Sequence, residues 1–195
     1  MPKVGMEPLR RSALVDATIH EIGARGSLDV TVSQIARRAG MSSALAHHYF
    51  GSKEQIFFAT MRHILKLYGA QVRGALSMAK TPRDRIEAIV RGSFTSMSQR
   101  PDVISAWMNF CAQAQTTPDT ARLLRIYQRR VHANLYHAFR RVAPDEADQM
   151  ALGTAAMIDG LYCRFALSQD PLIAQRSIET LLHYIDTVLD KASCS

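Results

Sequence analysis

The chain has 195 residues, of which 47% are hydrophobic and 21% are charged, and its formal net charge is +7. This length permits a well-buried core in one domain or two small ones, and no apolar run is long enough to span a bilayer. The basic N-terminus has no apolar segment behind it, so we do not expect a signal peptide. Three widely spaced cysteines predict neither a disulfide framework nor a zinc site, which favours the reducing cytoplasm. The positive charge suits a nucleic acid or another anionic partner.

The first part of the chain is predicted to contain an N-terminal arm and three helices. Residues 1–7 are predicted to be a basic arm or a disordered tail, and residues 8–25 a first helix that Gly26 ends. Two short helices follow, Val32–Ala39 and Ser43–Tyr49, joined by a tight turn. A short helix pair of this kind is compatible with DNA binding, although such pairs also occur in helical proteins that never contact DNA.

Residues 31–50 are typical of a helix-turn-helix. Thr31 is followed three residues later by Gln34, which is the spacing of a capping box. Gly40 supplies the left-handed conformation that ends the first helix, and Ser42 is placed to cap the second. The second helix is short enough to enter a major groove, so the pattern predicts a recognition helix.

The surface of this pair is predicted to be basic and rich in hydrogen-bonding groups. The second helix carries no acidic residue, and Lys53 follows in the first turn of the next helix, where a bound phosphate would compensate for a cation placed against the helix dipole. Residues 1–68 hold nine Lys and Arg against five Asp and Glu. This charge supports DNA binding only modestly, because many basic surfaces are merely solvated. The neighbouring basic residues are Arg10, Arg11, Arg37 and Arg38.

The rest of the chain is predicted to be entirely helical. A long fourth helix covers Lys53–Met78, and prolines then mark the beginnings of five further helices. These are predicted over residues 82–98, 101–114, 118–142, 145–168 and 171–191. Because no strand pattern occurs, we predict an all-α fold of nine helices.

The last two helices carry many small and apolar residues. This pattern is compatible with a dimer surface and equally with coverage of the protomer's own core. The residues concerned are Ala151, Leu152, Ala155, Ala156, Gly160, Ile178, Leu181, Leu182, Ile185 and Leu189.

The second half of the chain also contains aromatic residues and one acidic residue in an apolar segment. Trp107 and Phe110 lie three apart on one helix, while Tyr127, Tyr162 and Phe165 come from others. Aromatic faces with a carboxylate can receive a cation, although aromatics at helical spacing are more often plain core. Asp159 is costly in its segment unless it is paired, for instance with Arg164. No activated nucleophile, metal constellation or phosphate loop occurs, so we expect neither an enzyme nor a cofactor.

The string T-V-S-Q-I-A-R-R-A-G-M-S…Y-F-G-S-K resembles the DNA-binding domain of the TetR-type repressors. The resemblance implies a DNA-binding domain over residues 8–68 and a helical effector-binding and dimerisation domain over residues 69–195. It also implies a homodimer, formed through the helices near 145–168 and 171–191, on a palindromic operator. Phosphates would be contacted by Thr31, His48, Tyr49 and Lys53, and base edges by Ser33, Ser43, Ala44 and His47. The family commonly has Gly at position 44 and Tyr at position 47, so its base preference cannot be transferred.

Further segments, including MPKVGMEPLRR and IDGLYCRFALS, resemble the choline-responsive repressors of glycine betaine synthesis genes. The resemblance implies that choline relieves repression of choline uptake and oxidation genes, and that effector binding tilts the fourth helix. The trimethylammonium group would meet Trp107 and its aromatic neighbours, and the hydroxyl would meet Asn109 or Tyr162. The alternative is a TetR-type repressor that responds to another cationic or apolar small molecule. The predicted ligand-binding residues are Trp107, Asn109, Phe110, Tyr127, Asp159 and Tyr162.

Overall fold

A computed structural model describes residues 5–168, 170 and 172–193, with the side chain of Ser193 excepted. Over these residues the chain forms nine helices and no strand, which confirms the all-α prediction. None of the described helices combines the length and the apolar character that a membrane span needs. The helices are α1 (Met6–Arg25), α2 (Val32–Arg38), α3 (Ser43–Phe50), α4 (Lys53–Met78), α5 (Pro82–Ser93), α6 (Pro101–Gln113), α7 (Pro118–Phe139), α8 (Ala147–Ala166) and α9 (Ile173–Ser193).

Most predicted helix bounds agree with the structure within three residues, and α5 is the exception. It ends at Ser93, although the sequence predicted a helix to residue 98. The hydroxyl of Ser98 donates to the carbonyls of Ser93 and Thr95, so a side chain replaces the continued backbone ladder. Three predicted features fall outside the described residues: the first four residues of the arm, the proline at 171 that would begin the last helix, and Cys194.

The chain divides into two compact units. The first comprises Met1–Lys66 and Arg100–Ala121, and the second comprises Leu67–Gln99 and Arg122–Ser195. The sequence had placed everything after residue 68 in one domain, whereas α6 belongs to the first unit. The continuous helix α4 contributes residues to both units.

In the first unit, α6 packs closely on α1. A Cβ atom at Gly23 would lie 2.3 Å from the Cβ of Asp102, so only glycine permits this approach. The amide of Asn109 donates to the carbonyl of Gly26 at 3.2 Å, which caps the end of α1 from α6. The first unit, which contains the helix-turn-helix, therefore also contains α6, a helix from much later in the sequence.

The second unit has its own apolar core, formed by the later part of α4 together with α5, α7, α8 and α9. Val72 of α4 meets Gly92 of α5, where an added Cβ would lie 2.9 Å from the Val72 side chain. Arg83 of α5 makes two hydrogen bonds to the Asp186 carboxylate of α9, at 2.6 and 3.0 Å. These contacts join α5 to both α4 and α9.

The predicted dimer surface is partly a set of core residues. Five of its residues are buried within the single protomer, where they cover the core of the second unit: Ala151, Ile178, Leu181, Leu182 and Ile185. For these five residues the second alternative, coverage of the protomer's own core, is correct, because α8 and α9 pack on each other and on the core through these faces. Among the exposed residues of α8 is a stripe of small and apolar side chains at helical spacing, consisting of Leu152 (62% exposed), Ala156, Gly160 and Cys163.

Candidate nucleic-acid interface and effector site

The first helix of the helix-turn-helix is fixed by the predicted capping box. The backbone N–H of Gln34 donates to Thr31 Oγ1 at 3.2 Å, and the N–H of Thr31 donates to Gln34 Oε1 at 2.7 Å. Each residue thus satisfies a donor that the helix leaves without a partner. The prediction from the spacing of these two residues is confirmed.

The turn and the second helix also form as predicted. Gly40 has φ 68°, the left-handed conformation in which a side chain is disfavoured. Ser42 caps α3 by accepting the N–H of Leu45 at 3.2 Å, and α3 ends where Gly51 adopts φ 78°. The Ser42 cap therefore marks the start of the recognition helix, and the glycine turn at Gly51 marks its end.

The residues predicted to contact DNA lie on the surface of the first unit. Thr31, Ser33, Ala44, His47 and His48 are exposed, and Ser43, Tyr49 and Lys53 are partly exposed. The hydroxyls of Ser33 and Ser43 are joined by a hydrogen bond of 3.0 Å, which brings α2 and α3 together. The structure thus leaves all eight predicted residues accessible, and their contacts with DNA stay a prediction.

Two arginines of α1 organise the end of the recognition helix. Arg10 Nη1 donates to the Tyr49 hydroxyl at 3.2 Å, and the guanidinium of Arg11 lies 5.0 Å from the centre of the Phe50 ring. The sequence identified both arginines only as nearby charge. Their contacts with aromatic residues of α3 depend on the packing of α1 against α3, which the sequence pattern does not show.

The first turn of α4 differs from its prediction in one respect. Ser52 caps this helix by accepting the N–H of Gln55 at 3.3 Å, as the sequence indicated. Lys53, however, is followed by Glu54, whose pKa is lowered by hydrogen bonds from its own backbone N–H and from Ser52. An acidic group therefore already complements the helix dipole, and what favours a phosphate at Lys53 is the position of this residue directly after α3 in the chain.

Three predicted effector residues lie on α6 in the first unit. Trp107 and Phe110 have ring centres 5.7 Å apart, and Phe110 is buried in the core. The Asn109 amide donates to the carbonyls of Ser105 and Gly26, so its Oδ1 is the atom left to accept a ligand hydroxyl. The predicted ligand role of these three residues stays a prediction.

The other predicted residues lie in the second unit, where two of them are joined. The Tyr127 hydroxyl donates to Asp159 Oδ1 at 3.3 Å, so a hydrogen bond stabilises the carboxylate. Burial nevertheless raises the pKa of Asp159, and the Tyr127 hydrogen bond opposes this rise only in part. The residue is exposed at the surface of the single protomer, so the carboxylate is surrounded by protein atoms yet open to solvent. Over the described residues no basic side chain, Arg164 included, forms an ion pair with it.

Tyr68 of α4 completes this group, although the sequence analysis did not select it. Its ring meets the Tyr127 ring edge to face at 5.6 Å. Its hydroxyl lies 3.3 Å from Ser93 Oγ, and because Ser93 donates its own proton to the Ile89 carbonyl, Tyr68 is the donor. Burial raises the pKa of Tyr68, and the charge of Asp159 adds to that effect. A signal existed in the sequence, since Tyr68 continues the apolar stripe of Ile64 at a spacing of four residues.

Tyr162 forms a separate aromatic contact in the second unit. Its hydroxyl donates to the Ser98 carbonyl at 2.6 Å, and the centre of its ring lies 6.2 Å from that of Phe94 and 5.7 Å from that of Phe165.

Among the residues that the structure describes, no three His, Cys, Asp or Glu side chains come together as metal ligands would.

This fold and its capped helix pair define a class, the TetR-type helix-turn-helix regulators. Residues 14–60 match the family described as bacterial regulatory proteins of the tetR family. A TetR transcription regulator from Haloarcula marismortui has the same fold, with a TM-score of 0.82 and 18% identity over 91% of this chain and 97% of that one. A transcriptional regulator from Saccharomonospora viridis, crystallised in complex with choline, has a TM-score of 0.80 and 22% identity, covering 90% of this chain and 95% of its own.

The remaining comparisons are more specific. Residues 82–190 match the C-terminal region of the BetI-type transcriptional repressors. The chain is 50% identical over 186 residues to the HTH-type transcriptional regulator BetI of Brucella anthropi, covering 95% of this chain and 96% of that one. For the regulator of the same name from Rhizobium meliloti, the identity is 47% over 190 residues, which cover 97% of this chain and 94% of that one. The chain therefore belongs to the BetI-type repressors of the TetR family, and it is a DNA-binding transcriptional regulator and not an enzyme.

Proposed function

We propose that this repressor acts in the cytoplasm on the genes of choline uptake and of glycine betaine synthesis from choline, and that choline releases it from its operator. The observation that carries the effector proposal is the group formed by Tyr68, Tyr127 and Asp159. It combines aromatic rings with a carboxylate whose charge is incompletely compensated. A quaternary ammonium ion suits such a group, because it needs a counter-charge and aromatic faces but has no N–H to donate.

Electrostatics favours a cation at Asp159. A carboxylate that is surrounded by protein loses hydration, and without an ionic partner it keeps part of that cost. A bound cation would offset the cost, and contact with a tyrosine face adds about 0.5–2 kcal/mol. The choline complex of the Saccharomonospora viridis regulator, which has the same fold, supports a choline-sized effector.

On DNA, we propose a homodimer that uses α8 and α9 as its interface. The exposed stripe of Leu152, Ala156 and Gly160 would permit close helix packing, because among the described residues nothing beyond the two chain neighbours of Gly160 and the backbone of α8 lies within 4 Å of an added Cβ there. A two-fold dimer presents two copies of α3 to half-sites roughly 34–36 Å apart. Thr31, His48, Tyr49 and Lys53 would contact phosphates, and Ser33, Ser43, Ala44 and His47 would face base edges.

We propose α4 as the element that couples the two functions. Its first turn follows the recognition helix, and its residue Tyr68 contacts Tyr127 beside Asp159. The ligand must prefer the conformation that does not bind the operator, and a 100-fold preference corresponds to roughly 2.7 kcal/mol of coupling. Tilting of α4 on effector binding is the expected form of this change.

The experiment is fluorescence anisotropy on the DNA that flanks this protein's own gene, with and without choline at about millimolar concentration. We expect tight, salt-sensitive binding that choline weakens. Betaine aldehyde, carnitine and an apolar dye serve as competitors that distinguish the alternative effectors. Binding that none of these compounds alters would refute the effector proposal, and equal affinity for random DNA would refute operator recognition.

A further inference from the structure

We infer that His47 reads an exocyclic amino group, either N6 of adenine or N4 of cytosine, in the major groove of the operator. The inference rests on the proposed placement of α3 against base edges. It assigns a hydrogen-bond polarity to a position that the sequence identified only as facing DNA.

The polarity follows from a contact at the end of α3. His47 Nδ1 lies 2.9 Å from the carbonyl oxygen of Gly51. A carbonyl oxygen can only accept, so Nδ1 carries the proton and donates it. In the neutral ring, Nε2 then holds the lone pair and can only accept a hydrogen bond.

The backbone holds this arrangement in place. The N–H of Gly51 donates to the carbonyl of His47 at 2.7 Å, so the two residues are joined in both directions. Gly51 adopts φ 78° and ψ −63°, a conformation that favours glycine. An added Cβ there would also lie 2.6 Å from Gln55 Oε1. The carbonyl that selects the tautomer is therefore fixed by the turn between α3 and α4.

The accepting edge of the ring is available. His47 is exposed, and within the described part of the chain Nε2 has no hydrogen-bond or ionic partner. In the major groove, adenine and cytosine present amino donors, whereas guanine and thymine present acceptors and a methyl group. An acceptor at His47 therefore favours adenine or cytosine and disfavours the other two bases at one position of each half-site.

The test is selection of duplexes from a random library by the full-length protein at about pH 8. We expect one position in each half-site at which the wild-type protein prefers adenine or cytosine and His47→Ala does not. The matched control is His48→Ala, the neighbouring histidine, which should weaken binding and leave every base preference in place. Both positions are exposed on the surface, so neither substitution disturbs the core.

A base analogue then isolates the hydrogen bond. At the identified position, purine replaces adenine, or 2-pyrimidinone replaces cytosine, which removes only the amino group. We expect the analogue to weaken wild-type binding about fivefold, the effect of one neutral hydrogen bond, and to leave His47→Ala unchanged. A preference for guanine or thymine that depends on His47, or a uniform loss of affinity in His47→Ala, overturns the inference. If the wild-type protein selects no sequence at all, operator recognition itself is refuted.

Discussion

Gly23 is a position at which the addition of one carbon should destabilise the first unit. An alanine Cβ would lie 2.3 Å from the Cβ and 2.5 Å from the Cα of Asp102, whereas ordinary contacts are 3.4–4 Å. Because the obstacle includes backbone, α6 would have to retreat from α1 by about 1 Å. Overpacking of this kind costs about 1–3 kcal/mol.

The retreat would also remove the hydrogen bonds that join the two helices. Ser105 Oγ donates to the Ile22 carbonyl at 3.4 Å, and Asn109 Nδ2 donates to the Gly26 carbonyl at 3.2 Å, so neither tolerates a further 1 Å. The matched control is Gly74→Ala on α4, where no described atom beyond the two chain neighbours and the backbone of α4 lies within 4 Å of the added Cβ. That substitution should stabilise the protein by about 0.5–1 kcal/mol through helix propensity.

The measurement is urea unfolding followed by circular dichroism, with all proteins at one concentration because dimerisation would contribute to stability. We expect the free energy of unfolding to decrease in Gly23→Ala and to increase in Gly74→Ala. Equal stability of the two variants would show that α6 is not held against α1 at this distance, and the account of the first unit would fail.

Further substitutions test the sites. Lys53→Ala should weaken binding to every DNA sequence and lower the slope of log affinity against log salt by about one, and an unchanged slope would remove Lys53 from the phosphate contacts. Asp159→Asn should weaken choline binding about tenfold, in titration calorimetry without DNA, by removing the counter-charge. Because burial raises the pKa of Asp159, wild-type choline affinity should fall as the pH is lowered through that raised value, whereas the affinity of Asp159→Asn should not. The sequence-based prediction expects Trp107→Ala to weaken choline binding, whereas a site formed by Tyr68, Tyr127 and Asp159 alone expects an unchanged affinity, so the same titration decides between the two. The hydrogen-bonded guanidinium of Arg83 lowers the pKa of Asp186, so this pair stabilises the fold above the ordinary carboxyl pKa. That contribution should disappear as the pH falls through the lowered value, and Arg83→Ala should reduce this acid sensitivity in denaturation curves.

Local features of the helix-turn-helix could be predicted because their causes lie within a few residues. The Thr31–Gln34 capping box and the glycine turn at Gly40 depend on spacing and backbone conformation, and both occur where the sequence indicated. The end of α5 was predicted less well, because the Ser98 hydroxyl donates to the carbonyls of Ser93 and Thr95, and periodicity does not reveal such side-chain hydrogen bonds.

The contacts among the predicted effector residues, in contrast, depend on residues that are far apart in the sequence. The sequence identified Asp159 as a carboxylate that needs a partner, but Tyr127 is 32 positions away and becomes that partner only through the packing of α7 and α8. Tyr68 resembled an ordinary core residue until its ring met that of Tyr127. Because the residues of a binding group come from separate helices, helical spacing identifies candidate residues but does not show which of them lie together in the fold.

The sequence by itself therefore determined the helical class, the helix-turn-helix and the likeness to a family, because local conformational preferences and motif spacing are written in consecutive residues. Only the tertiary structure decided that α6 belongs with the first unit and that Leu181 and Ile185 face the protomer's own core. It also brought Nδ1 of His47 to 2.9 Å from the Gly51 carbonyl oxygen, the contact from which we infer the tautomer. Each of these depends on which surfaces meet after folding, and an apolar stripe has the same periodicity whether it packs on its own chain or on a second copy.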